Sequence, residues 1–212
     1  MFPHFEVFLA AALVLAVLPG PSIFYVSTRS LAAGRLEGLA SGAGTGIGGM
    51  VHVVAGAAGV SALVLASAKL FALLKLAGAA YLVWMGIGMI RGARRDGQIL
   101  QAVAPRPADP RRAVVDGILV EALNPKTAAF FLAFLPQFVD LTRGHVALQF
   151  AALGLVSVAL NTSADLAVAL AAGAVRGSLA GRAAAITRVR QGAGGLMVAL
   201  GLDLLLTRRL SA

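Results

Sequence analysis

The 212-residue sequence contains no cysteine, which excludes disulfides, thiolate nucleophiles and Cys-ligated metals. Charge is also scarce. Asp, Glu, Lys and Arg make up 13% of the chain, where a soluble domain devotes about a quarter of its residues to them. Aromatic residues reach only 6%, too few for the stacking platforms that bind single-stranded nucleic acid. The net charge of +9 therefore does not mark a nucleic-acid partner, because the arginines fall in short connections between apolar blocks. Nor is there a phosphate-binding loop, a zinc-binding His pair or a nucleophile elbow. The sequence points away from an enzyme and names no cofactor and no metal site.

What it has in abundance is apolar residues, 59% of the chain, gathered in long runs that no water-soluble core of this size could enclose. Six blocks stand out, over about 5–27, 39–66, 70–90, 114–139, 146–175 and 192–206. Most are long enough to cross roughly 30 Å of hydrocarbon as helices, in which every backbone amide is paired internally. The first block lacks a basic leading region, and Leu18-Pro19-Gly20-Pro21 is a poor cleavage site, so it reads as a membrane helix rather than a signal peptide. The fold class expected is an all-α membrane protein with about six transmembrane helices, in contact with membrane lipid.

Arginines concentrate in the connections after blocks one, three and five, which places those loops in the cytoplasm. Residues 92–113, rich in Pro and Arg, read as a cytoplasmic polar linker between two three-helix halves, 1–91 and 114–212. An odd number of helices per half makes the halves inverted. The first helix of each is interrupted alike, by Leu18-Pro19-Gly20-Pro21 and by Leu123-Asn124-Pro125-Lys126. Matching interruptions in inverted repeats point to a transport site near the bilayer midplane, although a lone Pro can also merely kink a helix.

Polar groups are costly in hydrocarbon, so they mark where function is to be sought. Asp165, in the fifth block, requires a partner, and Asn161 one turn earlier continues its polar face. Lys126, directly after the helix-breaking Pro125, is the partner the sequence offers; it can hold a carboxylate, or snorkel along its stem. Glu121 shares a face with Asn124 and can take a proton, bind an ammonium or neutralise a cation. His52, deep in the second block, reads as a hydrogen-bonded packing residue or as a relay. Gly38, Gly42 and Gly46, with Gly44 and Gly48, have the four-residue spacing of close helix packing, which also permits a homodimer. Asp203 reads as a partner of Arg208, and Tyr81 and Trp84 as packing or interface residues.

The motifs Leu18-Pro19-Gly20-Pro21, Gly34 to Gly38, the glycine-rich helix ending at His52, Leu76-Ala77-Gly78-Ala79-Ala80-Tyr81-Leu82, Leu123-Asn124-Pro125-Lys126 and Phe134-Leu135-Pro136-Gln137-Phe138 together resemble the LysE/RhtB family of amino-acid exporters. The resemblance covers nearly the whole chain. It implies outward secondary transport of amino acids across the bacterial inner membrane, driven by protons. Pro19, Gly20, Pro21, Asn124, Pro125 and Lys126 match its motifs, whereas Glu121 stands where an uncharged residue is commoner. On this reading Lys126 and freed backbone amides meet the substrate carboxylate, and Asp165 or Glu121 carries the proton. A cation or metal-ion exporter or channel using the same carboxylates is the alternative.

Overall fold

The computed structural model describes residues 5–66, 68–101, 103–174 and 183–206, and all regular structure among them is helical. Helix α1 (Phe5–Val17) is followed after a three-residue break by α2 (Pro21–Ala33). Pro19 and Pro21 have no N–H, so α1 cannot extend its ladder past Leu18, whose own amide turns back to the carbonyls of Val14 and Leu15. Pro21 then opens α2 at the one helical position where a missing donor costs nothing. Helices α3 (Arg35–Ala66) and α4 (Ala68–Gln101) are long and unbroken in the described residues.

The break recurs later in the chain. Helix α5 (Pro110–Ala122), capped by Asp109, stops before Asn124, and α6 (Pro125–Ala129) restarts with proline again at its first position. Helix α6 runs on through a π turn, Phe130–Phe134, in which the Leu135 N–H donates to the Phe130 carbonyl five residues back, and then through a 3-10 turn, Leu135–Phe138. Helices α7 (Val146–Ala174) and α8 (Ala183–Leu206) complete the fold. Pro19 and Asn124 stand midway along their rods, Phe5–Ala33 and Pro110–Phe138.

Two stretches among the described residues, Pro110–Phe138 and Val146–Ala174, are long and apolar enough to cross a membrane. Helices α1 and α2, bent by 42° at their break, make a third if taken as one span. The surface suits such a setting, since Val17, Val54, Leu119, Leu123 and Leu148 all point outward. The interior is sealed by aromatic rings, with Phe8 of α1 against Phe130 and Phe138, and Phe131 against Phe150 of α7.

The helices outrun the apolar blocks. Helix α4 continues to Gln101 and α8 begins at Ala183, so Arg91, Arg94, Arg95, Asp96, Arg188 and Arg190, expected in connections, are helical. Hydropathy marks where hydrocarbon ends, but Arg and Gln are good helix formers and carry the ladder beyond it. Arg176, Arg182, Arg208 and Arg209, and the Asp203 side chain, lie outside the described residues. Among the described residues of the linker only 103–109 are outside helices, and they are anchored rather than loose: the Arg106 N–H donates to the Ala32 carbonyl at 3.0 Å.

Packing is closest where glycines let backbones meet. A methyl group on Gly44 would lie 2.3 Å from the Val114 carbonyl oxygen, and one on Gly48 2.5 Å from that of Ile118, so α3 lies directly on α5. Gly86 of α4 and Gly194 of α8 face each other likewise, and a methyl group on either would lie 2.6 Å from the other's carbonyl oxygen. Such contact replaces side-chain interdigitation with backbone proximity. Gly86→Val is therefore expected to cost about 1–3 kcal/mol by overpacking, seen as a lower Tm of the detergent-solubilised protein. Gly195→Ala, with open space around its added methyl group and better helix propensity, is expected not to lower Tm.

Candidate functional site

The two mid-rod breaks meet at Lys126, whose side chain is 1% exposed. Its ammonium lies 3.1 Å from the carbonyl oxygens of both Leu15 and Leu18. Leu15 lies in the last turn of α1 and Leu18 directly follows it; Pro19 gives the Leu15 carbonyl no N–H, leaving it the longer bond from Leu18 at 3.3 Å, and the helix dipole is negative there. Lysine from the second break thus caps the first. Gly20 makes the approach possible, because a methyl group there would come within 3.0 Å of Lys126 Cδ and Cε.

Asn124 orders the second break. Its Oδ1 accepts from the Lys126 backbone N–H at 3.0 Å, which caps α6 and fixes the amide orientation, leaving Nδ2 to donate to Glu121 Oε2 at 2.7 Å. Glu121 Oε1 accepts from the Thr127 hydroxyl at 2.7 Å. Both oxygens of this buried carboxylate therefore serve as acceptors for groups of the break itself. The Glu121 backbone carbonyl, whose α-helical donor would be Pro125, takes His52 Nε2 at 2.8 Å and the Asn124 N–H at 2.9 Å. A carbonyl can only accept, so Nε2 carries the proton of His52 in this geometry.

Asp165 is buried on α7, and its Oδ2 lies 2.7 Å from Thr45 Oγ1 of α3. The expected Lys126–Asp165 ion pair is not formed; the ammonium is drawn to the end of α1, and Thr45 serves the acid instead. Thr45 Oγ1 is also 2.9 Å from the Gly42 carbonyl. A hydroxyl has one proton, so it donates to only one of the two at a time. Asn161 returns its Nδ2 to the Ser157 carbonyl at 2.9 Å rather than to Asp165. Asn161, Asp165, Glu121, Thr45 and Thr127 border a shared polar cavity with room for about one water molecule.

A larger space opens on the other side of the first break. It is a cleft of about 290 Å³, bordered by Gly20, Pro21 and Phe24 of the first rod, by α4 and by Arg190 of α8. At one end of the molecule Glu37 is wholly buried and receives Arg29 and Arg106, each at 2.8 Å, together with the Asp109 N–H. Arg29 also pairs with Asp116. This network fastens the linker to the ends of α2, α3 and α5. Among the described residues no group of three or more His, Cys, Asp or Glu side chains is arranged to hold a metal ion.

Sequence reasoning passed over Thr45, Thr127 and Glu37. Thr45 carried a signal, since it lies seven residues before His52, two helical turns away on the same face of a helix otherwise rich in glycine. Glu37 carried none, because an acid in a polar stretch beside several arginines does not show that it is buried.

An apolar exterior, helices interrupted at mid-length and a buried polar centre together define an all-helical membrane protein. The chain belongs to the LysE type translocator family, whose model matches residues 13–208. It is 32% identical over 154 residues to an uncharacterised membrane protein of Pseudomonas aeruginosa, covering 72% of this chain and 71% of that one. It is 33% identical over 148 residues to a leucine efflux protein of Klebsiella pneumoniae, covering 66% and 68%. A leucine efflux protein of Salmonella typhimurium is 26% identical over 149 residues, covering 69% and 68%. No solved structure matches the chain.

Asn124→Ala removes the α6 cap and leaves Glu121 Oε2 without its donor. The expected loss is about 1–3 kcal/mol, measured as reduced thermal stability in detergent. Asn161→Ala, which breaks only a bond within its own helix, is expected to cost markedly less.

Proposed function

We propose that this protein exports amino acids across the bacterial inner membrane in exchange for protons, by alternating access between two inverted three-helix halves. The observation that carries the reading is the meeting of two interrupted helices at one buried ammonium. Hydrocarbon penalises both a break and a buried charge, so their coincidence at mid-rod is costly unless a polar solute passes there. Membership of a translocator family and likeness to leucine efflux proteins agree with it.

Six rods make up the membrane domain: α1 with α2, α3, α4, α5 with α6 and its continuing turns, α7 and α8. The pattern of packing supports a two-fold relation. Helix α3 lies against α5, and α7 lies against α1 and α2, so the second rod of each half meets the first rod of the other. The third rods, α4 and α8, pack on one another. The arginine-rich end, where α4, the linker and α8 bring their basic residues, faces the cytoplasm.

Of the two candidate acids, Asp165 is the better suited to bind and release a proton. When it is charged, Thr45 donates to it; when it is protonated, it donates to Thr45, whose own proton turns to Gly42. Either state leaves every partner satisfied. Glu121 has no such freedom, because the Asn124 amide can only donate to it and Thr127 has it as its acceptor. Glu121 holds the break, while Lys126, with one N–H beyond its two carbonyl bonds, is left to meet a substrate carboxylate.

Reconstituted vesicles test this reading. Outward flux of a radiolabelled neutral amino acid is expected to rise with an imposed proton gradient. Asp165→Asn is expected to reduce that stimulation by about tenfold or more, since it holds the site in one protonation state, while exchange of labelled for unlabelled substrate persists. Glu121→Gln is expected to lower thermal stability yet keep the gradient response. A wild-type protein that moves no amino acid, or an Asp165→Asn protein with full gradient stimulation, would sink the mechanism.

A further inference from the structure

The cleft beside Gly20 has walls of two kinds. Pro21, Phe24, Trp84, Met85 and Met89 make it apolar along most of its length, while Asp96 and Arg190 are its only charged lining residues among the described ones. From Trp84 to Asp96 the cleft follows α4 for about 18 Å, at 1.5 Å per residue. Gly20 lies at its border with Lys126 directly behind it. The volume, about 290 Å³, is at the small end for a ligand pocket, so it suits a single small metabolite. The cavity around Asp165, by contrast, has no room for one.

The charged pair is incompletely satisfied. Arg190 Nη2 meets Asp96 Oδ2 at 2.6 Å, yet the neighbouring Arg190 Nε is buried and has no hydrogen-bond partner among the described residues. Nε and Nη2 form the side-on fork of a guanidinium, which takes a carboxylate through two parallel bonds. Asp96 uses one prong only. The guanidinium also lies over the Phe24 ring, 5.4 Å from its centre, so its plane is held against the cleft wall.

We propose that this cleft is the cytoplasmic entry site for a neutral amino acid with an apolar side chain. The substrate carboxylate takes both prongs of Arg190, its ammonium takes Asp96, and its side chain lies along Phe24, Met85 and Met89. The exchange opens one ion pair and forms two, with no net charge brought into a low-dielectric site. A basic amino acid would add a positive charge for which the cleft has no second acid among the described residues. Without the ammonium Asp96 loses its partner, and without the carboxylate Arg190 does. The site therefore selects a zwitterion.

The inference rests on the export reading above, and the following experiment separates the two. Leucine exchange in proteoliposomes is measured for the wild type, Arg190→Gln, Asp96→Asn and Gly88→Trp, with lysine, leucine amide and 4-methylpentanoate as competitors. Gly88 borders the cleft and has open space where a side chain would begin, so tryptophan fills the cleft without disturbing the ion pair. Each substitution is expected to raise the KM for leucine about tenfold or more. Leucine is expected to compete well with itself, and lysine poorly. Inhibition by leucine amide, which lacks the carboxylate, is expected to be weakened by Asp96→Asn and not by Arg190→Gln; inhibition by 4-methylpentanoate, which lacks the ammonium, is expected to be weakened by Arg190→Gln and not by Asp96→Asn. Wild-type KM in Gly88→Trp, or leucine amide inhibition that survives Asp96→Asn together with 4-methylpentanoate inhibition that survives Arg190→Gln, overturns the cleft as the site while leaving export intact. If the wild type exchanges no amino acid at all, the export reading fails and this one with it.

Discussion

In a medium without water, a helix that stops short must find partners for the carbonyls it leaves behind. Here the ammonium of Lys126 supplies them, bridging Leu15 and Leu18 from a different part of the chain. Much of the centre follows from that contact. Position 20 has no side chain because the lysine stem passes against it. Pro125 and Asn124 set where α6 begins, and so aim the stem at α1. Glu121 in turn holds Asn124, and His52 takes the carbonyl that Pro125 cannot serve. The first interruption is stabilised by a cation from the second, and that buried cation would in turn lack these acceptors if α1 ran on unbroken.

The two buried acids divide along the same logic. Glu121 is held by the Asn124 amide, which can only donate, and by a Thr127 hydroxyl whose hydrogen bond goes to it alone, so a proton on Glu121 would leave a neighbouring donor without an acceptor. Asp165 faces a hydroxyl with a second acceptor in reach, so its surroundings suit either of its protonation states. Burial alone does not distinguish them, since both are nearly inaccessible. Their neighbours do.

The helical class and the positions of both interruptions were legible in the sequence, because proline's missing N–H acts wherever the chain places it. Lys126 was also marked, as a cation that hydrocarbon would not carry without cause. Its partner was not. The sequence displays side chains, and Asp165 is the acid it offers, whereas the ammonium binds backbone carbonyls that every residue possesses. Thr45, although on the face of His52, was passed over for a related reason, since a threonine among glycines looks like another small packing residue until an acid is found opposite it. The Arg190–Asp96 pair lay beyond reach because both residues follow the apolar blocks, and only the continuation of α4 and α8 past those blocks brings them together.

The π turn at Phe130–Phe134 has a consequence for how this chain is aligned with its relatives. A hydrogen bond to the fifth residue back accommodates one residue more than the α-helical bond to the fourth, and one residue corresponds to about 100° of rotation. Leu135, the first residue past the turn, therefore faces a different side of the rod than counting from Lys126 in steps of 3.6 would indicate. A homologue shorter by one residue in this stretch could restore plain α-helix and still present the same faces on either side. A one-residue gap here would then record a change of helical pitch, with every flanking side chain kept in place.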